Sequence, residues 1–351
     1  MAAVEIRGLI RSGINFSNII GVYFFIDTSV IVSLMVQMAS NWSQFLTEID
    51  KVELVLQQKS YNPLKVRLNV NCWRMAAGWI VLGTVEHLFA TFNGVYIQYR
   101  EWLRCNKVYS YTMEVYARRR FAYIFNWMPY NIPVYFFAHY VIYAVTMAWT
   151  YQDVLIMVIS MYVIARYRQF FGRVEAAGPQ QEPFWMEIRE HYVMLSEFLE
   201  KVDQLLSPLV ISSCWNNIFL ICYQLLHSLE QNRFAISFVY CCYSLGFLIG
   251  RTWTTLLMAA NLNREIRSAR RAVHRIPSEY WCTDLERYYL QLRVEVGALS
   301  GKRFFYLTHR TVFTIVALIF TYELVMLKYS RLEAVAEVSG NCSAMDLSQA
   351  D

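Results

Sequence analysis

The sequence predicts an all-α protein, a polytopic bundle of membrane-spanning helices. Of its 351 residues, 56% are apolar and only 17% are charged, whereas soluble domains average about 45–50% and about 25%. Six segments are also apolar over the roughly 20 residues that a helix needs to cross a bilayer. They lie in one predicted membrane domain, 1–329, at about 14–38, 73–97, 133–165, 207–226, 234–259 and 304–327.

The same composition excludes several classes of protein. With only 13 Gly and 7 Pro, the chain is neither collagen-like nor of low complexity, and its high apolar content excludes disorder. The net charge of +5 is spread over the chain, mostly in the connections between apolar segments, so we expect no nucleic-acid partner. The polar stretch 330–351 shows no structural pattern and is interpreted as a C-terminal tail.

Two of the apolar segments have unusual lengths. The first, 14–38, follows only Arg7 and Arg11, as a signal peptide would. It is too long for a signal peptide and lacks a small-residue cleavage site, so it is interpreted as a true span. The third, 133–165, is longer than a bilayer requires, and we expect its helix to project beyond the membrane.

The distribution of Lys and Arg predicts the orientation of the bundle. The connections 39–72, 166–206 and 260–303 contain 18 of these residues, and the segments on the other side contain 11. Because cytoplasmic connections carry the excess of positive charge, the first set is predicted to be cytoplasmic. Six spans then place both termini and the connection 98–132 outside.

Two of the predicted cytoplasmic connections contain helical patterns. In 185–206 and 284–296, apolar residues recur every three or four positions between charged residues. After the break at Gly178 and Pro179, the first pattern predicts a helix that continues into the fourth span. The alternative is an amphipathic helix on the membrane surface. Either arrangement gives a helical layer beneath the membrane.

Motifs of metal or catalytic chemistry are missing from the sequence. Cys214, Cys222, Cys241 and Cys242 lie inside apolar segments, where cysteine acts as a small apolar side chain, and no second cluster has the spacing of zinc ligands. The sequence contains no glycine-rich phosphate loop, nucleophile elbow or His-Glu-x-x-His pair. We therefore expect no metal, no cofactor and no enzymatic activity.

Polar side chains form stripes within four of the predicted spans. Ionisable residues at membrane depth are costly and usually face a bundle interior or a water-filled cavity. Carboxylates accept hydrogen bonds from hydroxyl groups, and aromatic faces stack on sugar rings, so Glu86 and Asp153 beside aromatic residues suit a neutral polyol. The alternatives are hydrogen bonding between packed helices and a proton relay in a transporter. The stripes comprise Glu86 and Asn93; His139, Tyr143, Thr146, Thr150 and Asp153; Ser213, Asn217 and Gln224; and Ser237, Tyr240, Ser244 and Arg251.

The last apolar segment and its approach resemble a known signature. The stretch Ala298-Leu-Ser-Gly-Lys-Arg-Phe-Phe-Tyr-Leu-Thr-His-Arg310, followed by Thr321-Tyr-Glu-Leu-Val325, closely resembles the C-terminal signature of insect gustatory receptors. Within them it is similar to the sugar-receptor subfamily of trehalose and sweet taste receptors, and the likeness runs in order through about 14–329. Similar stretches upstream are Val85-Glu-His-Leu88, Trp149-Thr-Tyr-Gln-Asp153, Leu206-Ser-Pro-Leu209, Asn216-Asn217, Gln224-Leu225 and Phe247-Leu-Ile-Gly-Arg-Thr252.

This resemblance implies a gustatory and odorant receptor-like channel fold with seven membrane helices, a cytoplasmic N-terminus and an extracellular C-terminus. It also implies a ligand-gated, non-selective cation channel in the plasma membrane of gustatory receptor neurons, a homotetramer or a heterotetramer with other gustatory receptors. The last helix would line the pore, and a mono- or disaccharide would bind among the other helices. The expected sugar contacts are Glu86, His87, Trp149, Asp153, Asn217, Gln224, Tyr240 and Tyr243; the expected pore and gate residues are Thr321, Leu324, Val325, Leu327 and Lys328; and Arg251 is expected to couple the two.

Three features depart from the pattern of that family. Only six of the seven helices are present, and by order the first is missing, which is typical of an incomplete receptor. Lys328 and Tyr329 replace the family's Gln-Phe ending, and four lysines around a pore would repel cations unless they reach the outer surface. The family also lacks the tail 330–351. A non-functional truncated receptor therefore stays open, as does a secondary transporter of a small polar solute, which would require internal repeats.

Overall fold

The computed structural model describes residues 16–64, 67–104, 112–177, 180–230 and 235–333, and most of them are helical. Helices dominate because a segment in lipid must satisfy its own backbone hydrogen bonds. In chain order the helices are α1 (Phe16–Ser40), α2 (Trp42–Leu56), α3 (Leu68–Arg104), α4 (Met113–Arg120), α5 (Ala122–Phe125), α6 (Ile132–Ala177), α7 (Glu182–Glu230), α8 (Ala235–His274), α9 (Thr283–Val294) and α10 (His309–Glu333), with a 3-10 turn at Ser278–Tyr280 and strands β1 (Ser300–Gly301) and β2 (Phe305–Tyr306).

The three longest helices extend well beyond a bilayer. Helices α6, α7 and α8 contain 46, 49 and 40 residues. At 1.5 Å per residue they are about 60–75 Å long, against about 30 Å of hydrocarbon. The length of α6 agrees with the expected projection of the third span beyond the membrane. Within the described residues, five helices are long and apolar enough to cross a membrane, and His309–Tyr322 of α10 is a shorter apolar helix; a sixth span depends on α10.

The projecting ends of these helices pack into one layer with α2 and α9. Trp185, Ile188 and Tyr192 of α7 are at most 1% exposed, and they share one apolar core with α2, α6, α8 and α9. Such burial rules out an amphipathic helix lying on the membrane surface. Because α7 continues without a break into the fourth apolar segment, the predicted continuous helix is confirmed.

Helix α9 confirms the second predicted pattern in this layer. Its apolar residues fall on one face, which packs against α7 and α8. The acidic first turn is held to α7 by an ion pair of 2.8 Å between Asp284 Oδ1 and Arg189 Nε. The three fully buried residues of the apolar face are Leu285, Tyr288 and Leu292.

Polar contacts also tie the loop after α2 to the layer. The Tyr61 hydroxyl lies 2.7 Å from His191 Nδ1. Burial raises the pKa of Tyr61, so the hydroxyl stays protonated and is available as a donor. The Arg173 guanidinium covers the Tyr61 ring at 4.7 Å and forms two hydrogen bonds of 2.8 Å with Glu187. These contacts fix the loop on the packed helices.

The predicted start of the sixth span, at 304, is wrong. Strands β1 and β2 form a small antiparallel hairpin in this region, and α10 begins only at His309. The chain reverses direction there because Lys302 and Arg303 adopt positive φ angles of 52° and 62°. Turns of this kind favour Gly or Asn. Because Lys302 and Arg303 are neither, the sequence does not predict the turn, and the apolar residues after Arg303 are interpreted as the beginning of a helix.

The hairpin is anchored to α7 by one carboxylate. Asp203 accepts hydrogen bonds from the backbone N–H of Ser300 at 2.5 Å and from its hydroxyl at 2.8 Å. Gly301 is required beside it, because a Cβ at this position would lie 2.5 Å from the ring of Phe305. The hairpin therefore positions the first turn of α10 against the layer.

The connection 98–132 contains a second, smaller core. Helix α4 begins at the cap Thr112, whose hydroxyl accepts from Val115 N, and it has Glu114 in its first turn and arginines in its last turn, as the helix dipole favours. Helices α4 and α5 then pack on the first turns of α6. The buried cluster consists of Tyr116, Ala117, Phe121, Phe125, Tyr135 and Ala138.

The layer beneath the predicted membrane should dominate stability. Replacing Trp185, which is fully buried, by Ala should lower the free energy of unfolding by about 3–5 kcal/mol, because it opens a large cavity. Thermal unfolding of the detergent-solubilised protein measures the change. The matched control is Trp127→Ala, since Trp127 is 66% exposed. Equal losses in the two variants would contradict the assignment of the core.

Candidate functional site

Nine of the fourteen residues of the predicted polar stripes meet in two groups inside the bundle of α3, α6, α7 and α8. They share faces because residues three, four or seven apart lie on one side of a helix. One group surrounds a buried ion pair, and the other lies nearer the beginning of α8, on the side predicted to be outside. The deep network comprises Thr150, Asp153, Ser213, Asn217 and Arg251, and the Glu86 cluster comprises Glu86, Gln224, Tyr240 and Ser244.

The deep network is centred on the Asp153 carboxylate of α6. Oδ2 of Asp153 lies 2.8 Å from Arg251 Nε, an ion pair whose N–H is not aligned as a hydrogen bond, and the two side chains are 2% and 4% exposed. Asn217 Nδ2 donates to the same Oδ2 at 3.0 Å. The Ser213 hydroxyl donates to Oδ1. Both carboxylate oxygens therefore have partners from α7 or α8.

The Arg251 guanidinium is equally well partnered. Its Nη1 donates to Thr150 Oγ1 and its Nη2 to Asn217 Oδ1, each at 3.0 Å, and its central carbon lies 5.4 Å from the centroid of the Phe247 ring. The predicted sugar contacts Asp153 and Asn217 thus use all their polar side-chain atoms within the protein. The network joins three helices, which suits Arg251 to its predicted coupling role.

The Glu86 cluster joins α3, α7 and α8, and some of its hydrogen-bond acceptor positions are not used by the described residues. Glu86 Oε1 accepts from the Ser244 hydroxyl at 2.8 Å and from the Tyr240 hydroxyl at 3.2 Å. Gln224 Nε2 donates to Ser244 Oγ at 3.0 Å, while the buried Gln224 Oε1 has no partner among the described residues. A carboxylate offers about four acceptor positions, so this cluster can accept further hydrogen bonds.

Aromatic rings lie beside the Glu86 cluster. The ring centroid of Phe89 is 5.9 Å from that of Tyr240 and 6.0 Å from that of Tyr243, both in edge-to-face geometry. The Tyr243 hydroxyl donates to the Leu82 carbonyl at 3.2 Å, which fixes its ring against α3. Of the eight predicted contacts, the structure therefore gathers Glu86, Gln224, Tyr240 and Tyr243 in one region.

The other two predicted contacts lie apart from this region. His87 packs edge-on against Tyr143, with ring centroids 5.3 Å apart. Trp149 lies against Phe24 of α1, with centroids 4.9 Å apart, and its indole N–H has no partner among the described residues. The eight residues therefore fall into four separate locations.

The sequence analysis missed a carboxylate in α1. Asp27 is 8% exposed, and its Oδ2 is buried without a hydrogen-bond partner among the described residues. One turn earlier, the Tyr23 hydroxyl donates to Asn216 Oδ1 at 3.3 Å, which links α1 to α7. The sequence could have indicated this residue, because Asp27 is an acidic residue inside an otherwise apolar span.

The predicted pore and gate residues lie on α10. Thr321 is exposed, and its hydroxyl donates to the Ala317 carbonyl at 2.8 Å. The backbone of α10 continues through Leu324, Val325, Leu327 and Lys328, whose side chains lie outside the described part of the structure. The described residues contain no group of three or more His, Cys, Asp or Glu that could hold a metal ion.

Comparison with known proteins identifies the family. A family model described as Trehalose receptor matches residues 1–342. The chain belongs to this receptor family. Two similar proteins of Drosophila melanogaster are the gustatory receptor for sugar taste 64a, 31% identical over 92% of this chain and 71% of its own length, and the gustatory receptor for sugar taste 61a, 30% identical over 91% and 74%. The resemblance to the sugar-receptor subfamily is confirmed.

A solved structure shows the same fold. The insect olfactory receptor OR5 from Machilis hrabei, in complex with eugenol, aligns with a TM-score of 0.68 at 11% identity, covering 93% of this receptor and 86% of that chain. At this identity the match shows the fold alone, and it confirms the predicted all-helical receptor fold. The protein is thus a multi-pass membrane chemoreceptor of the gustatory family and not an enzyme.

The deep network should be essential for folding. Arg251→Met strands the Asp153 carboxylate in the bundle and should lower the free energy of unfolding by about 3–5 kcal/mol. Thermal unfolding of the purified receptor measures this loss, and adding Asp153→Asn should recover part of it. The control is Arg303→Met, which breaks a pair of 2.9 Å with Glu200 whose side chains are 68% and 58% exposed and should cost at most about 1 kcal/mol. Similar losses in both variants would exclude a special role for the buried pair.

Proposed function

We propose that this receptor is a sugar-gated, non-selective cation channel of gustatory receptor neurons. The observation that carries the proposal is the Glu86 cluster, a carboxylate held inside an apolar bundle by hydroxyl and amide groups beside aromatic rings. Membrane interiors tolerate such a carboxylate where it faces a cavity or a ligand. The similar Drosophila receptors carry sugar taste or trehalose in their names, which supports a mono- or disaccharide as the ligand.

A sugar would bind through hydroxyl groups and one apolar face. Glu86 would accept hydroxyl hydrogen bonds at its remaining acceptor positions, and Gln224 Oε1, which is buried without a partner among the described residues, would accept another. Hydrogen bonds to a charged acceptor contribute about 1.5–3 kcal/mol each. The rings of Phe89, Tyr240 and Tyr243 would cover the C–H face of the sugar.

In this proposal, Asp153 and Asn217 act on the sugar response through the protein. Their side-chain polar atoms are already occupied within the deep network, and freeing them for a ligand would leave Arg251 unpaired in the bundle. This geometry favours the Glu86 cluster over the two deep residues as the site of direct sugar contact.

Helix α8 provides the physical link to a pore. It carries Tyr240 and Ser244 of the Glu86 cluster and Arg251 of the deep network, and its far end contacts α10. A sugar can shift a closed–open equilibrium only by its different affinity for the two states. We infer that sugar binding between α3 and α8 displaces α8, and that α10 then opens.

The pore itself belongs to an assembly of subunits. We place α10 at the axis of a tetramer with its C-terminus extracellular, and Leu324, Val325 and Leu327 as an apolar gate that closes by dewetting. Lys328 would lie one residue beyond this gate. The exposed apolar residues earlier on α10 support burial against neighbouring subunits or lipid; they are Phe313, Leu318 and Phe320.

Neutralising Glu86 should weaken the sugar response. In cells that express the receptor, Glu86→Gln should raise the sugar concentration for half-maximal calcium entry about tenfold or more, because at least one charge-assisted hydrogen bond is lost. The matched control on the same helix is Glu101→Gln, since Glu101 is exposed, and both variants need equal surface expression. A dose–response curve for Glu86→Gln that superimposes on wild type would disprove the site.

A further inference from the structure

A basic pit lies where the far end of α8 meets the first turn of α10. Its volume is about 250 Å³, and buried Asn263 contributes to its wall. The predicted orientation places this end of both helices on the cytoplasmic side. The remaining lining residues are Arg264, Arg267, Arg271, Thr308, His309 and Arg310.

The arginines of this pit come from one face of α8 and from the first turn of α10. Arg264, Arg267 and Arg271 are spaced by three and four residues, so they lie on one face of α8. Within the described residues none of the pit arginines forms an ion pair, whereas elsewhere in the same layer Arg168 pairs with Glu265 and Arg189 with Asp284. Four guanidinium groups around one cavity repel each other unless an anion lies between them.

The start of α10 strengthens this positive potential. Helix N-termini carry a partial positive charge and unpaired N–H groups, which favour anions and disfavour cations. The first turn of α10 nevertheless contains no acidic residue and places Arg310 there. Within the described residues, the buried His309 Nε2 also has no hydrogen-bond partner. The pit therefore combines charge, helix dipole and a free imidazole nitrogen.

We propose that this pit binds a phosphate-bearing anion, and that its occupant is the head group of a polyphosphorylated lipid of the adjacent leaflet. Arginine forms paired hydrogen bonds with phosphate oxygens. Arg264 follows the predicted end of the fifth span at 259 by five residues, or about 7–8 Å along the helix, which is the depth of lipid head groups. A head group held there would bridge α8 and α10.

Binding to the whole receptor chain in phosphatidylcholine nanodiscs tests the site. Labelled phosphatidylinositol 4,5-bisphosphate should bind wild type, and Arg267→Gln, Arg271→Gln and Arg310→Gln combined should weaken binding about a hundredfold, since each cation near an anionic lipid contributes roughly a factor of five. The matched control combines Arg275→Gln, Arg287→Gln and Arg293→Gln, three exposed arginines of the same layer, and should bind like wild type.

Further outcomes separate the possible sources of the phosphate. The free head group, inositol 1,4,5-trisphosphate, should bind at least about tenfold more weakly than the lipid; equal affinity would replace the lipid by a soluble anion and overturn that part of the proposal. Equal binding by wild type and the pit variant, or an equal loss in the control variant, would overturn the site itself. Should the triple variant fail to fold, Arg271→Gln alone should still weaken binding about fivefold.

Discussion

The buried ion pair between Asp153 and Arg251 is the constraint on which the rest of the bundle depends. In a medium of low dielectric constant neither charge is tolerated alone, and the pair is stable only with the hydroxyl and amide groups that complete its shell. Those groups are Thr150 of α6 and Ser213 and Asn217 of α7, and Arg251 itself brings in α8. The relative height and rotation of α6, α7 and α8 are therefore fixed at one level of the membrane.

Helix α3 is less buried than the three helices that form the deep network. In its apolar stretch only 6% of residues are buried, compared with 50% in those of α6 and α7. Its polar ties to α8 include Glu86 with Tyr240 and Ser244, and Asn93 with Ser237 at 2.9 Å. Segments with few buried contacts open at a lower free-energy cost than packed cores. A polar ligand that entered between α3 and α8, as proposed for the sugar, would compete with a few hydrogen bonds and leave the deep network intact.

The sequence was sufficient for the long apolar helices and for the stripes on them, because both follow from the period of apolar and polar residues along the chain, but it did not predict the shorter helices α2, α4 and α5. It was insufficient wherever the role of a side chain depends on which residues of another helix face it. Asp153 and Glu86 are both carboxylates in apolar segments with aromatic residues nearby, and only the structure shows that Arg251 pairs with the first, whereas the second accepts hydrogen bonds from Tyr240 and Ser244. The hairpin before α10 was hidden for a local reason, since Lys302 and Arg303 occupy left-handed positions that sequence rules assign to Gly or Asn. The resemblance to sugar receptors supplied the family, which periodicity alone does not.

Helix α8 makes polar contacts at three levels along its length, in the Glu86 cluster, the deep network and the basic pit. The positions of these contacts around the helix axis determine how they influence each other. Ser244 and Arg251 are seven residues apart and lie on nearly the same face, toward α3, α6 and α7, whereas Arg264 is 13 residues beyond Arg251 and points to a roughly opposite direction at 100° per residue. The first face holds the frame and the Glu86 cluster, and the second faces α10. Because a continuous helix moves largely as a unit, a tilt of α8 about the level of the deep network that brought it closer to α3 at one end would change its distance from α10 at the other. In the proposed mechanism, the position of α10 would therefore respond both to a sugar between α3 and α8 and to an anion in the basic pit.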